Sequence, residues 1–279
     1  MTARLLELLI LKPNQSAHLV EKSYDRISSC YDQAWTNHMR NLSEQLIAEL
    51  SIKQGDKALD LTCGTGFVTN LLSQKTATQV LGVDRSQGML KQAHKKYGGN
   101  CKFIKSDILE FLKNTPAKSF DIVTCCWGLG YSKPFAVLRQ VKRILKPKGK
   151  VAIIDNNLFS LAGVLYCSFL TFMEQPDKLA NLMRFRFLTG KHHLSLWFRV
   201  LGFKPLCCRN GKKSYNAKNG TEAIDKLRAT GAAAGFEYAA NQEEEKEIFE
   251  RFAEIIENKY MKENTIRITH RYLAGIAQK

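Results

Sequence analysis

Acidic residues are scarce in this chain. Only 26 Asp and Glu stand against 42 Lys and Arg, leaving a formal net charge of +16. That imbalance favours anionic partners such as nucleic acid, phospholipid surfaces or acidic small molecules, although many soluble proteins are basic without binding any of them. Cysteines are present but lack a pattern: Cys30, Cys63, Cys101, Cys125, Cys126, Cys167, Cys207 and Cys208 include no C-x-x-C and no Cys/His spacing of the zinc type. Several lie in apolar runs, so they read as reduced, hydrophobic thiols of a cytoplasmic protein, with no metal site and no disulfide framework. The opening MTARLLELLILKP lacks a small-x-small cleavage site and carries Glu7 within its apolar run. It is a poor secretory signal and reads as a short amphipathic helix ended near Pro13. A membrane-crossing helix is also missing, because the uncharged run 156–173 has 18 residues, short of the ~20 apolar residues that span a bilayer.

What is present centres on Leu59 to Phe67, LDLTCGTGF. Ala58, Leu59 and Leu61 suit a short buried strand, Gly64 and Gly66 turn the chain, and Val68, Leu71 and Leu72 begin a helical stripe. A strand, glycine turn and helix start place unpaired N–H groups and partial positive charge beside a backbone that a ligand can approach closely. A nucleotide-like cofactor suits such a seat.

From Lys57 to Lys150 strands and helices alternate at short intervals, which predicts an α/β fold with a parallel sheet built from βαβ units. Strands are expected near 57–61, 79–84, 101–105, 120–126 and 149–155, with helices near 65–74, 86–97, 107–114 and 134–146. Gly98-Gly99 ends one helix, and Lys146-Pro-Lys-Gly149 is expected to turn into the fifth strand. Ligands of such sheets bind beyond the carboxyl ends of the strands, so the residues there matter most. Asp84 closes the second strand twenty residues past Gly64, where an acid accepts hydrogen bonds from both ribose hydroxyls. Asp107, after Ser106, either caps the following helix or meets an adenine amino group. The fourth strand, FDIVTCCWGLGY, ends in Trp127 and Gly128, and the indole is either core or the wall of a substrate pocket.

Taken in order, LDLTCGTG, GVDRSQGML, KSDILEF, FDIVTCCWGLGY and VKRILKPKGKVAIID resemble a class I S-adenosylmethionine-dependent methyltransferase. The likeness is to the small-molecule type that includes quinone-biosynthesis C-methyltransferases, and it covers about Tyr24 to Asp155. It implies a Rossmann-like doubly wound sheet, mostly parallel with an antiparallel edge strand, plus helical N-terminal and lid segments. The implied cofactor is S-adenosyl-L-methionine, released as S-adenosyl-L-homocysteine. By the family's pattern the methionine end and sulfonium lie near Asp60, Cys63, Gly64, Thr65 and Gly66, and Asp84 with Arg85 flanks the ribose. Met89 then packs near the adenine ring and Asp107 meets its amino group, Ser106, Ile108 and Cys126 are further cofactor-binding positions, and Tyr24 and Tyr31 cover the cofactor. A dinucleotide-binding dehydrogenase fits less well, since C-G-T-G lacks the third glycine of G-x-G-x-x-G.

Four segments follow: 1–50 as an N-terminal helical lid, 51–155 as the cofactor-binding core, 156–220 as a substrate-lid insertion, and 221–279 completing the core. Between Ser16 and Leu50 the pattern is helical, and Tyr24, Tyr31 and Trp35 either pack inward or form a lid. Residues 155–220 carry ten Lys or Arg against three Asp or Glu, so basic character is expected to concentrate in the lid. The run 156–173 reads first as a buried helix lining an apolar cavity. Its second reading is a peripheral membrane contact beside basic residues, which keeps a membrane-associated location open. Trp127, Tyr131, Phe169, Phe172 and Trp197 are the expected substrate lining. In the tail a helix near 221–232, a strand around Phe236 to Ala239, an acidic amphipathic helix and a closing strand RYLAGIAQK are expected, with Gly202 to Cys208 competing for one strand position.

Methyl transfer from a sulfonium is an in-line displacement, so the protein mainly positions and desolvates the reactants. A general base is needed only where the acceptor must first lose a proton, and His192, His193, Asp155 and Tyr131 are the candidates. The function expected is methylation of a hydrophobic small molecule such as a quinone precursor, lipid or secondary metabolite. An RNA or protein methyltransferase and a non-catalytic methyltransferase-fold subunit are the alternatives. CCWG in place of an Asn/Asp-Pro-Pro-Tyr type of motif speaks against nucleic acid, and intact Gly64, Gly66, Asp84 and Asp107 speak against a silent subunit.

Overall fold

Amphipathic stripes near the start form helices α1 (Thr2–Leu11), α2 (Ser16–Ile27) and α3 (Asn37–Ala48), the last preceded by a π turn at Asp32–Thr36. The computed structural model describes residues 2–11, 16–232, 234, 236–241 and 243–279; the expected helix end at Pro13 lies outside them. Four βα steps and a fifth strand follow. β1 (Ala58–Leu61), α4 (Phe67–Thr76), β2 (Val80–Asp84), α5 (Gln87–Tyr97) and β3 (Cys101–Lys105) lead to α6 (Ile108–Asn114). β4 (Phe120–Cys126), α7 (Pro134–Ile144) and β5 (Leu145–Asn156) complete the alternation. The chain continues through α8 (Ala162–Glu174), α9 (Lys191–Val200), β6 (Lys204–Ala217), α10 (Gly220–Ala229) and α11 (Glu245–Tyr260) to β7 (Met261–Lys262) and β8 (Thr265–Gln278).

The strands lie in the order β3-β2-β1-β4-β5-β8-β6, with β7 against β8. β1 to β5 pair in parallel, and β8 runs antiparallel to β5, with Ile153 opposite Gly275 and Ile154 opposite Ala274. All four residues of β1 and the last five of β4 are buried, as expected of central parallel strands covered on both faces. Strand order reverses between β1 and β4, which creates the crevice where ligands of such sheets bind.

By contacts the chain divides into two units: residues 1–35, 159–184 and 212–270 form the first, and 36–158, 185–211 and 271–279 the second. The division cuts across the expected segments. In the first unit, Cys167, Phe249, Phe252, Ile256 and Ile268 share one core, while Leu8, Phe172, Leu179 and Ile248 share another. In the second, Leu59, Val123, Val137, Leu194 and Phe198 fill one side of the sheet, and Leu46, Leu72, Ile122 and Ile154 the other.

Several expectations change. The fifth strand starts at Leu145 rather than 149, because Leu145 already pairs with Phe120; Lys146 to Gly149 then bulge out of register, with Lys148 at φ +65°, before pairing resumes at Lys150 opposite Ile122. Phe236–Tyr238 is a 3₁₀ turn, not a strand. Its place in the sheet belongs to β6, which begins inside the competing Gly202 to Cys208 stretch and becomes the neighbour of β8, with α10 and α11 inserted between them in sequence. No helix among the described residues is long and apolar enough to cross a membrane.

Candidate functional site

The turn after β1 is left-handed at three residues, Thr62 (φ +57°), Gly64 (+52°) and Gly66 (+86°). The two glycines answer different demands. A Cβ on Gly66 would lie 2.9 Å from the Phe103 ring and 3.1 Å from Ala93, so that glycine lets α4 start close against the sheet. A Cβ on Gly64 would meet nothing within 4 Å, so that backbone faces open space where a ligand can approach it.

Asp84, half-buried at the end of β2, closes this turn. One carboxylate oxygen accepts the Gly64 N–H at 2.9 Å and the other the Ser86 N–H at 2.9 Å. Ser86 in turn caps α5, accepting the N–H of buried Met89 at 3.1 Å. Next along the strand ends, Asp107 caps α6 by accepting from Leu109 at 2.9 Å and Glu110 at 3.0 Å, while its other oxygen meets Arg85 at 3.2 Å. Capping, one of its two expected roles, is thus seen directly, and it is worth ~1 kcal/mol. Ser106 turns its hydroxyl onto the Asp107 carbonyl at 3.1 Å, and Ile108 is buried behind it.

Asp60 is 1% exposed and accepts from Thr69 at 2.8 Å and Thr124 at 2.7 Å. Burial pushes its carboxyl up to about 7 against these two hydrogen bonds. It ties β1 to α4 and β4, so it holds the turn rather than facing a ligand as expected. Cys63, Thr65 and Cys126 are buried as well, and burial raises the thiols of Cys63 and Cys126 well above the ordinary range. All eight cysteines are free.

Across the reversal point, the loop after β4 holds the aromatic residues. Trp127 adopts φ +65°, donates its indole N–H to Ser43 at 3.0 Å and meets the Tyr272 ring edge-on at 5.9 Å. Asp155, at the end of β5, fastens this loop by accepting from Gly130 at 2.7 Å and Asn156 at 2.8 Å. It is 3% exposed, and burial raises it to about 7. That placement assigns Asp155 to bracing the loop and removes it from the candidate bases. Tyr131 stands at the end of the turn with Phe185 at 5.5 Å and Phe187 at 5.9 Å, and those two rings stack on each other at 5.5 Å. Arg186 donates its backbone N–H to the Gly130 carbonyl at 2.8 Å, and a Cβ on Gly130 would lie 2.2 Å from the Phe187 ring. Residues 185–188 are therefore laid over the β4 loop.

The remaining candidates lie elsewhere. His192 is exposed on α9, and His193 stands edge-on to Trp197 at 4.4 Å, with Trp197 against Phe135 at 5.2 Å. None of the three joins the strand-end cluster, because α9 buries Leu194 and Phe198 on the sheet and turns the histidines outward. Phe172 is core of the first unit and Phe169 is 47% exposed, so neither lines a substrate cavity as expected. The cavity beneath α8, with Val164, Leu227 and Phe252 among its walls, holds about 30 Å³, against ~300 Å³ or more for a ligand pocket. Tyr24 and Tyr31 pack in a T-shaped pair at 5.8 Å within the first unit. Thr62, Phe185 and Phe187 were not singled out from the sequence. The alternation Phe-Arg-Phe-Leu was their one signal, and Thr62 carried none.

A parallel sheet with a glycine turn after β1 and an acid at the end of β2 defines an α/β enzyme built around a nucleoside-bearing cofactor. Residues 58–149 match the methyltransferase domain family, and residues 2–100 match the protein-L-isoaspartate(D-aspartate) O-methyltransferase family. A demethylmenaquinone methyltransferase of Staphylococcus aureus is 29% identical over 203 residues, spanning 66% of this chain and 81% of the relative. The YcgJ protein of Bacillus subtilis shares the fold with a TM-score of 0.59 at 16% identity, over 86% of this chain and 98% of that one. A geranyl diphosphate C-methyltransferase of Streptomyces coelicolor, solved with Mg2+, geranyl diphosphate and S-adenosyl-L-homocysteine, gives a TM-score of 0.51 at 11% identity over 86% and 78% of the two chains. The family matches, the demethylmenaquinone methyltransferase relative and the shared fold support a class I S-adenosylmethionine-dependent methyltransferase.

Proposed function

We propose that the chain transfers the methyl group of S-adenosyl-L-methionine to a hydrophobic small molecule of the quinone-precursor, lipid or secondary-metabolite kind. One observation carries the donor half: Asp84 receives the Gly64 and Ser86 N–H groups at the crevice while the space in front of Gly64 stays open. The residues fit this cofactor. Asp84 would accept from the ribose hydroxyls, the loop Gly64 to Gly66 and the α4 N-terminus would receive the methionine carboxylate, and Met89, Asp107 and Ile108 would border the adenine. When bound, the cofactor supplies a methyl on an electron-poor sulfur that leaves as the acceptor attacks. What the chain adds is alignment and exclusion of water, which is where proximity exerts its effect. Trp127, Tyr131, Phe185 and Phe187 would form the apolar wall on the acceptor side, with Asp155 and Gly130 fixing its position. The demethylmenaquinone methyltransferase relative and the geranyl diphosphate C-methyltransferase neighbour support an apolar acceptor.

Calorimetry with S-adenosyl-L-homocysteine tests the donor half. Asp84→Ala should weaken binding by roughly ten- to a hundredfold, the worth of ~1.5–3 kcal/mol for hydrogen bonds to a charged group. Unchanged affinity would remove the cofactor assignment. Turnover with a panel of quinols, prenyl compounds and an isoaspartyl peptide tests the acceptor half, and activity on the peptide alone would transfer the reading to protein carboxylates.

A further inference from the structure

Charge is divided unequally between the two units. The first, 1–35 with 159–184 and 212–270, carries 16 Lys or Arg against 17 Asp or Glu, and the second carries 26 against nine. Within the second unit neither 122–154 nor 185–211 contains any acid. These stretches include α7 and α9, which meet through Phe135 on Trp197 and contribute Val137, Leu138, Leu194 and Phe198 to one core.

Helix α9 buries Leu194 and Phe198 and turns a second, mixed side to solvent. Leu196 is 56% exposed and Val200 is 65% exposed, one turn apart, and Arg199 lies exposed beside them. Edge strand β6 continues this surface with exposed Lys204 and with Leu206, which is 47% exposed. Between helix and strand runs an open groove of about 270 Å³ lined by Lys191, His192, Ser195, Arg199 and Leu206. Arg209 is paired with Glu49, the residue after α3, at 2.6 Å.

We propose that this α9–β6 surface docks the protein on an anionic phospholipid bilayer. Arg199, Lys191 and Lys204 meet the phosphate headgroups, and Leu196, Val200 and Leu206 enter the headgroup–acyl boundary. Exposed aliphatic side chains among cations are the composition that binds interfaces. A nucleic-acid face would instead offer exposed aromatic platforms for stacking, and Trp197 here is half-buried against Phe135 and His193.

The test is co-sedimentation of the full chain with phosphatidylcholine vesicles, alone or mixed with phosphatidylglycerol. Binding should require the anionic lipid and fall with salt. Arg199→Gln with Lys204→Gln should weaken it about 30-fold, at about fivefold (~1 kcal/mol) per cation near the surface. Leu196→Ser with Val200→Ser should remove the binding that persists at high salt. Circular dichroism and S-adenosyl-L-homocysteine affinity should be unchanged in both pairs, so failure here leaves the methyl-donor assignment standing. Equal binding to uncharged vesicles, no binding, or variants that bind like the parent would overturn the proposal. So would an RNA homopolymer that displaces the protein from vesicles at matched phosphate concentration, which would reassign the face to nucleic acid.

Discussion

The carboxyl of Asp60 is held at about 7 by burial, against an ordinary value of 3.8. Asp155 is held at about 7 for the same reason. Between about pH 4 and pH 7 the folded chain therefore keeps protons that the unfolded chain has released, so stability falls as pH rises. A shift of about three units corresponds to ~4 kcal/mol for each fully ionised group, or ~1.4 kcal/mol per pH unit within the window. At 1% and 3% exposure neither group is screened by solvent. Asp60→Asn should halve this part of the slope and make the protein more stable than the parent above about pH 7. The substitution suits the site because Thr69 and Thr124 offer hydroxyls, which accept from the new amide as readily as they donated to the carboxylate. Asp155→Asn makes the contrasting control. Its partners are the backbone N–H groups of Gly130 and Asn156, which only donate, so one amide face is left opposed and the variant loses ~1–3 kcal/mol against the protonated parent near pH 5, a deficit that shrinks toward pH 8 because the titrating carboxyl is gone. Urea unfolding from about pH 5 to pH 8 without cofactor measures both. A parent whose stability rises with pH over this range, or an Asp60→Asn variant with the parental slope, would refute the reasoning.

Two further predictions separate the roles of the turn residues. Gly66→Ala should destabilise the fold by ~1–3 kcal/mol because its methyl meets Phe103 at 2.9 Å, whereas Gly64→Ala should cost only the ~1 kcal/mol of a left-handed alanine and lose S-adenosyl-L-homocysteine binding, read by thermal unfolding and calorimetry. A Cβ on Gly128 would lie 2.6 Å from the Thr62 side chain, so Gly128→Ala should destabilise by ~1–3 kcal/mol and Thr62→Gly should restore most of it in a double-mutant cycle; additive losses would mean that the two loops do not interlock.

Much of the sheet was legible because its signals are local. β1 to β4 begin and end within a residue or so of expectation, since each apolar run is bounded by a turn residue or a cap: Gly64, Ser86, Asp107 and Pro134. The placement of the acids at the ends of β2 and β3 was legible for the same reason, since it follows from position along a strand. Asp60 and Asp155 were misread because position on a strand does not tell whether a carboxylate faces the crevice or the neighbouring hydroxyls and amides. Only pairing settles that: Asp60 lies level with Thr124 on β4, and Thr69 reaches it from α4. Thr62 was silent because a β-branched residue at φ +57° contradicts local preference, and only the glycine opposite it makes room.

The proposed acceptor side was harder to read because its residues come from segments distant in sequence. Counting charge over 155–220 suggested a basic lid, yet five of those ten cations, Arg186, Lys191, Arg199, Lys204 and Arg209, belong to the unit that holds the sheet. The first unit is close to neutral because the glutamates of α11 offset its lysines and arginines, as in the pairs Arg251 with Glu254 and Lys178 with Glu247. Phe185 and Phe187 follow the same logic, since they return to the β4 loop, where Gly130 makes space for a ring more than fifty residues later in the chain. A linear window averages over such returns. Short-range pattern therefore identifies the glycine turn and the acids at the strand ends, while the proposed acceptor wall and the basic face depend on where the chain comes back.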